Sequence, residues 1–338
     1  MRVIIITGSY PPDICGVSDY SEKLEHSLRT RGIDVEIYTG RQWTVQSSLR
    51  NTLELKRMRA DIVHMQYPST GYGWRLGPQA MALFQPLVLT LHEASQAHIL
   101  RRLSLYPLGM RARRVIFTNE YERAYVQRFA PWITGRDTLI PIGSNVPPSL
   151  KSVTKLRHTL TYFGLIKRDK GIEQVIELAK LLHKRAPHWR TRIIGRILPG
   201  SEALYQHLRT ESQGLAIDWQ IGLQDEALAT ALAATDIAYL PFPDGASERR
   251  SSLIALLTSG ATIITTRGTH TPSQLNNAAL FAESPSQAIA HIESLETFPE
   301  RKDLLSSAAQ RYSQKFEWDS IAAEHIAVYR SILSSPTP

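Results

Sequence analysis

The stretch PFPDGASERRSSLIALLTSG, residues 241–260, follows the apolar run Ile237-Ala238-Tyr239-Leu240. It places an Asp-Gly turn, two adjacent arginines and two serines ahead of an apolar helical pattern. A strand that ends in a Gly- and Ser-rich loop and feeds a helix presents free backbone N–H groups and the positive end of the helix dipole at one point. That combination suits phosphate. Arg249 and Arg250 add planar, bidentate donors, and Asp244, Gly245, Ser251 and Ser252 complete the loop. As a purely structural feature, the same loop is a solvated arginine pair beside a serine-capped helix start.

Such a loop needs a strand and a helix to hold it, and the chain supplies that pairing repeatedly. Short apolar runs alternate with longer amphipathic ones, the pattern of parallel βαβ units. Strands are expected at residues 3–7, 35–39, 62–65, 87–91, 115–118 and 139–140. A clear helix is expected at 18–30, where Tyr20, Leu24 and Leu28 share one face. The run Val146-Pro147-Pro148-Ser149-Leu150-Lys151 then breaks the rhythm, because consecutive prolines cannot sit inside an element. The alternation resumes with strands at 160–163, 190–194, 217–220, 237–240 and 262–266, separated by helices at 171–184, 201–214, 225–234 and 251–259. The expected fold class is therefore α/β, with two doubly wound, Rossmann-like domains over residues 1–150 and 151–316. Ligands bind such sheets outside the carboxyl ends of their strands, and two sheets facing each other would share one cleft.

A length of 338 residues suits two domains, and 43% hydrophobic with 21% charged residues suits a soluble globular chain. No run approaches the roughly 18 apolar residues of a membrane span. The opening MRVIIITGSYPP is a first strand rather than a secretion signal, and the single cysteine, Cys15, forms no intrachain disulfide. Both features point to the cytoplasm. The net charge of +8 is concentrated early: residues 1–150 carry 18 Lys and Arg against 12 Asp and Glu. Much of that excess lies at Arg101, Arg102, Arg111, Arg113 and Arg114, interleaved with Leu103, Leu105, Tyr106, Leu108 and Met110. A basic, apolar stretch of this kind can lie against an anionic bilayer at the inner membrane face, or be a solvated helix whose apolar side is core. No nucleic-acid-binding motif surrounds it.

At the expected strand ends stand GSYPPDICGVSDY, HMQYPSTGYG, HEASQAH, GLIKRDKG, GRILPG, GLQDE and DGASERRSS. None is the GxGxxG or GxxxxGK[ST] phosphate loop, which counts against a nicotinamide dehydrogenase and a P-loop kinase. These pieces, in this order, resemble the retaining GT-B glycosyltransferases, and glycosyltransferase family 4 most closely. The resemblance runs through YPPDICGVSDY, ADIVHMQY, LTLHEAS, LIPIGSNVP, YFGLIKRDKGIEQVIELAKLL, IIG, ATDIAYLPFPDGASERRSSLIALLTSGATIITT and FEWDSIAAEHIAVYRSIL.

The resemblance implies a GT-B architecture whose second domain binds a nucleoside-diphosphate sugar and whose first domain binds a hydroxyl acceptor, with no cofactor. It makes Lys170 the diphosphate lysine and residues 241–260 the helix N-terminus that helps it. Gly16 becomes the glycine of a first-domain loop that approaches the phosphates, and His92 a histidine at the sugar end of the cleft. A final helix, within 317–338, is expected to cross back to the first domain. His92, Lys170 and Arg250 are the expected catalytic set. Gly16, Gly164, Lys167, Arg168, Arg196, Asp244, Gly245, Arg249, Ser251 and Ser252 are expected to bind the donor. Asp13, Asp19, Gln66, Tyr67 and Glu93 are expected to meet the acceptor.

The sequence departs from the family at two places. Leu165 follows Gly164 where an Arg is usual, which brings forward Lys167, Arg168 or Arg196. Glu248 is present, but the second glutamate of the family's pair, which ordinarily grips the ribose, falls on Ala255 or Leu256. The chain holds no Asp-x-Asp, so cationic side chains rather than a metal are expected to neutralise the diphosphate. The competing readings are an epimerase or a sugar phosphate synthase on the same scaffold, and a non-catalytic module that has lost its donor.

Overall fold

A computed structural model describes residues 1–334 apart from residues 14, 97–101 and 103. The chain divides into two compact units. The first holds Met1–Gly143 together with the chain from Glu317 onward, and the second holds Ser144–Phe316.

The first unit is built on six parallel strands, β1 (Arg2–Ile6), β2 (Asp34–Tyr38), β3 (Ile62–Tyr67), β4 (Leu87–Leu91), β5 (Ala112–Phe117) and β6 (Asp137–Leu139). Their order in the sheet is β2-β1-β3-β4-β5-β6. Helix α1 (Gly16–Thr30) buries Tyr20, Leu24 and Leu28 as its spacing predicts. Helices α2 (Val45–Arg57), α3 (Gly77–Phe84), α4 (Leu105–Arg111) and α5 (Glu120–Gln127) follow. Side-chain caps fix two helix starts: Thr44 accepts from Ser47 N–H before α2, and Asn119 from Glu122 N–H before α5.

In the second unit the strands are β7 (Leu156–Ile166), β8 (Arg190–Ile197), β9 (Ile217–Ile221), β10 (Thr235–Leu240), β11 (Thr262–Thr265) and β12 (Ala279–Phe281). They lie parallel in the order β12-β11-β10-β7-β8-β9. Its helices are α6 (Ile172–Arg185), α7 (Glu202–Glu211), α8 (Asp225–Ala233), α9 (Ser251–Thr258), α10 (Pro285–Thr297) and α11 (Pro299–Ser313). The final helix, α12 (Trp318–Ser334), packs in the first unit. There Ile321, Ala322, Ile326, Tyr329 and Ile332 share a core with Val3, Ile5, Tyr20, Leu24 and Leu28. Asp319 accepts a two-pronged hydrogen bond from Arg31 at 2.7 and 2.6 Å.

The chain passes between units at Gly143 and Ser144, ahead of the double proline. The proline segment is tied into the second unit, because Ser149 Oγ donates to Glu226 Oε1 at 2.9 Å. The basic stretch is not one helix. Among the described residues, Arg102 and Leu105–Arg111 are helical there, with Leu105 and Leu108 buried, and Arg113 and Arg114 lie in strand β5. The helix ends where β5 begins at Ala112, which leaves it too short for an interfacial helix, and Arg101 and Leu103 lie outside the described residues. Among the described residues no helix is long and apolar enough to cross a membrane.

Candidate functional site

Strand order reverses at β7, which has β10 on one side and β8 on the other. The loops after β7 and β10 therefore flank the switch point of the second sheet, where doubly wound folds open a crevice for ligands. They are held together by backbone that tolerates no side chain. Gly171, with φ of +76°, precedes α6, and a Cβ there would fall 1.9 Å from the Pro241 carbonyl oxygen. Gly245, with φ of +85°, would place a Cβ 2.2 Å from Gly268 N. Both positions demand glycine twice over, by conformation and by space.

On this frame three cations converge. Lys170 is half-buried, and burial, then Arg250, then Lys167 push its ammonium below the ordinary lysine value. Arg250 occupies the N-cap position of α9. Its guanidinium lies 4.9 Å from the centre of the Phe242 ring and pairs with Asp244, and burial lowers its pKa as well. An arginine offers only donors, so it cannot cap the helix behind it. The first-turn N–H groups at Ser251 and Ser252 thus add to the positive field of the cluster. Ser251 is exposed and Ser252 half-buried. Tyr162 Oη donates to the Leu165 carbonyl at 3.3 Å and lies 3.5 Å from that of Lys170, which pins the lysine loop from beneath. Nothing in the sequence marked Tyr162 beyond its place in an apolar run.

Several expected donor contacts are placed differently. Gly164 is not in a loop: β7 continues to Ile166, and Gly164 pairs with Gly195 in the sheet. A Cβ on Gly195 would fall 2.1 Å from the Gly164 oxygen, so these glycines serve strand packing. Arg196 stands exposed within β8, paired with Leu165, and Arg168 is exposed on the Lys167 turn. Arg249 is half-buried beside Arg250. Glu248 is occupied within the chain, accepting from Tyr312 Oη at 2.7 Å and Lys315 Nζ at 2.5 Å. Ala255 and Leu256 are both core positions, at 2% and 0% exposure, so neither stands where a side chain could grip a ribose.

The first unit has its own switch point at β1, between β2 and β3. Gly16 opens α1 after Cys15, and a Cβ on it meets no chain atom within 4 Å. The fold does not require glycine there. Burial raises the Cys15 thiol, but hydrogen bonds from Thr70, Ser18 and Val17 bring it below the ordinary thiol value. Asp13 and Asp19 are exposed, Asp19 on the first turn of α1, and Glu93 is exposed after β4.

His92 follows β4 and is only 5% exposed. Its Nε2 lies 3.0 Å from Gln66 Oε1, and its ring meets Tyr20 edge-on with centroids 4.8 Å apart. Burial, then His325, lower its pKa to about 3, so it is neutral at physiological pH. Gln66 Nε2 in turn lies 3.2 Å from His64 Nε2, and His64 Nδ1 lies 2.7 Å from Tyr329 Oη. The Gln66 Oε1 acceptor assigns the Nε2–H tautomer to His92, while His64 Nε2 also lies 2.7 Å from Thr90 Oγ1. Gln66 and Tyr67, expected to meet an acceptor, are interior residues at 0% and 4% exposure. They belong to a central strand covered on both faces, and Tyr67 Oη accepts from Gln79 at 2.8 Å. Glu122, which the sequence did not mark, is fully buried and holds the loop after β4 by accepting from Ser95 N–H at 2.8 Å.

Residues 1–144 match the family model of Glycosyltransferase Family 4. Among solved structures the chain is similar to sucrose-phosphate synthase from Thermosynechococcus elongatus, at 17% identity and a TM-score of 0.68, over 99% of each chain. It is similar to a glycosyltransferase from Rickettsia africae at 12% identity and a TM-score of 0.71, again over 99% of each. A third similar structure is HepE from Anabaena in complex with UDP, at 13% identity and a TM-score of 0.69, over 98% of this chain and 100% of that one. No curated protein sequence is significantly similar. The fold is that of GT-B, with two doubly wound α/β units.

Proposed function

We propose that this chain, whose first 144 residues carry the Glycosyltransferase Family 4 pattern, transfers a sugar from a nucleoside-diphosphate sugar to an acceptor hydroxyl with retention at the anomeric carbon. The observation that carries the reading is the convergence of Lys167, Lys170 and Arg250 at the switch point of the second sheet, beside the start of α9. Two cations that push the pKa of a third, Lys170, downward are costly to hold beside it unless an anion joins them. A diphosphate is an anion of the right charge, and HepE structures of the same fold hold UDP and UDP-glucose.

In the proposed reaction the bond between the anomeric carbon and the β-phosphate oxygen breaks, and its electron pair stays on that oxygen. The acceptor oxygen bonds to the anomeric carbon on the same face, and its proton passes to the departing phosphate. No protein base is needed. Lys170 and Arg250 stabilise the charge that grows on the phosphate, which is where rate enhancement originates. The core positions Ala255 and Leu256 leave the phosphates, more than the ribose, as the handle on the donor. His92, neutral and held by Gln66, would present imidazole rather than imidazolium to a sugar. Exposed Asp13, Asp19 and Glu93 would meet the acceptor.

The test is a thermal-shift and turnover panel of UDP, GDP, ADP and CMP with their sugar conjugates, against alcohols, glycans and sugar phosphates, with and without EDTA. A rise in melting temperature with one diphosphate, and its release only when an acceptor is present and regardless of EDTA, is expected. No shift with any nucleotide would favour the module without a donor. Release without any acceptor would favour the epimerase, and turnover confined to sugar phosphates the synthase.

A further inference from the structure

At the amino-terminal ends of β7 and β8, the opposite end of the sheet from Lys170, strand β7 carries a bulge. Its register against β10 passes from Leu156 opposite Thr235 to Leu160 opposite Ile237, so β7 advances four residues while β10 advances two. His158 sits in the extra length with φ of +50°, a conformation that residues other than glycine rarely adopt. Bulges of this kind re-aim a side chain.

The imidazole is aimed at two further ligand groups, a second imidazole and a carboxylate. Its ring centre lies 4.8 Å from that of His188, at 81° between planes. Nε2 of His188 is 3.1 Å from Glu296 Oε1, and Nε2 of His158 is 3.7 Å from the same oxygen. Trp189 Nε1–H donates to that oxygen at 2.7 Å, which orients the carboxylate. At 3.7 Å His158 is outside hydrogen-bond range of Glu296, so that bond does not account for its backbone conformation. Arg185 nearby is neutralised by Glu293 at 2.7 Å. The two imidazoles and the carboxylate are 53%, 54% and 33% exposed.

We propose that His158, His188 and Glu296 bind a divalent transition-metal ion with zinc's ligand preference. Their three ligand atoms lie within 4.8 Å of one another. Ligands about 2.1 Å from zinc stand roughly 3.4 Å apart, so small rotations of these side chains close the set. Two imidazoles and one carboxylate leave a fourth position for water. Such an ion would tie the bulge of β7 to the entry of β8 and the end of α10, far along the strands from the diphosphate loops. Its role is therefore structural, and it stands independently of the transferase reading.

The experiment uses the full, untagged chain, stripped with a chelator and titrated with Zn²⁺ by calorimetry. Cu²⁺ quenching of tryptophan fluorescence is followed in parallel, since Trp189 bonds directly to Glu296. One equivalent of Zn²⁺ should bind and raise the melting temperature. The double variant H158A/H188A should weaken Zn²⁺ at least tenfold, E296Q should weaken it less, and W189F should remove most of the quenching. Both histidines are half-exposed, and circular dichroism checks that the variants fold. No saturable Zn²⁺ uptake, or equal uptake by folded H158A/H188A, would overturn the proposal.

Discussion

Replacing Arg250 by alanine should separate ligand binding from stability in this protein. In the free chain the guanidinium rests on Phe242 and pairs with Asp244, an aspartate whose side chain is 72% exposed. Contacts of that kind are worth about 1 kcal/mol or less. The substitution also removes one of the cations that lower the Lys170 pKa, which partly offsets the loss. Unliganded stability should therefore change by no more than about 1 kcal/mol. The bound state loses more. A charge-assisted hydrogen bond to phosphate contributes roughly 1.5–3 kcal/mol, so the Kd for UDP should rise about ten- to hundredfold. Calorimetric titration with UDP and urea unfolding of the free chain measure the two quantities separately. Lys170→Ala should behave alike, and the double variant should depart from the sum of the singles by more than about 0.5 kcal/mol, because the two cations act on one another. Unchanged UDP affinity in both single variants would refute the assignment of the cluster to the diphosphate.

The two glycines should respond in opposite ways. Gly171→Ala, at φ +76° and 1.9 Å from the Pro241 oxygen, should cost at least about 1–2 kcal/mol of stability by denaturant unfolding. Gly16→Ala meets no chain atom within 4 Å and should leave unfolding free energy within about 0.5 kcal/mol while lowering turnover. Restoring the family's missing glutamate by Ala255→Glu should lower soluble yield and melting temperature rather than improve donor affinity, because position 255 is 2% exposed and a buried carboxylate lacks a partner. Acid should weaken the first unit. His92, His325 and His64 have folded pKa values lowered to about 3, to about 4 and well below the ordinary value. The unfolded chain binds more protons between the ordinary histidine pKa and those values, so stability is present above about pH 6.5 and falls as pH drops toward 4. Unfolding free energy measured across pH 7.5 to 5 should show proton uptake approaching three, and a flat profile would contradict the neutral buried histidines.

The alternation of apolar runs made the two sheets legible, because strands covered on both faces must be apolar throughout. The loop after β10 was legible for a related reason: Asp244-Gly245 and Arg249-Arg250 concentrate turn and donor chemistry directly after such a run. What sequence could not decide was where a polar residue at a strand end points. Gln66 and Tyr67 occupy the end of β3 but turn inward, into contacts with His64, His92 and Gln79 contributed from elsewhere in the fold. Gly164 reads as a loop because a glycine inside an apolar run resembles its end, whereas its reason is the close approach of Gly195 in the next strand. The division between units was displaced for a similar cause. The prolines at 147 and 148 mark a break in secondary structure, but Ser149 and Leu150 are bonded to Glu226 on the far side of it. The proposed metal site at His158 needed a bulge that no spacing in the sequence announces.

The position of α12 also sets an order of maturation. The first unit takes Ile321, Ala322, Ile326, Tyr329 and Ile332 from a helix made only after residues 144–316, which hold a complete core of their own. The middle of the chain can therefore fold while the beginning still waits. During that interval Val3, Ile5, Leu24 and Leu28 lack their cover and form an apolar strip of the kind that chaperones and proteases recognise. A nascent chain that stops before Trp318 keeps that strip open, so synthesis of α12 is itself the step that seals the first unit.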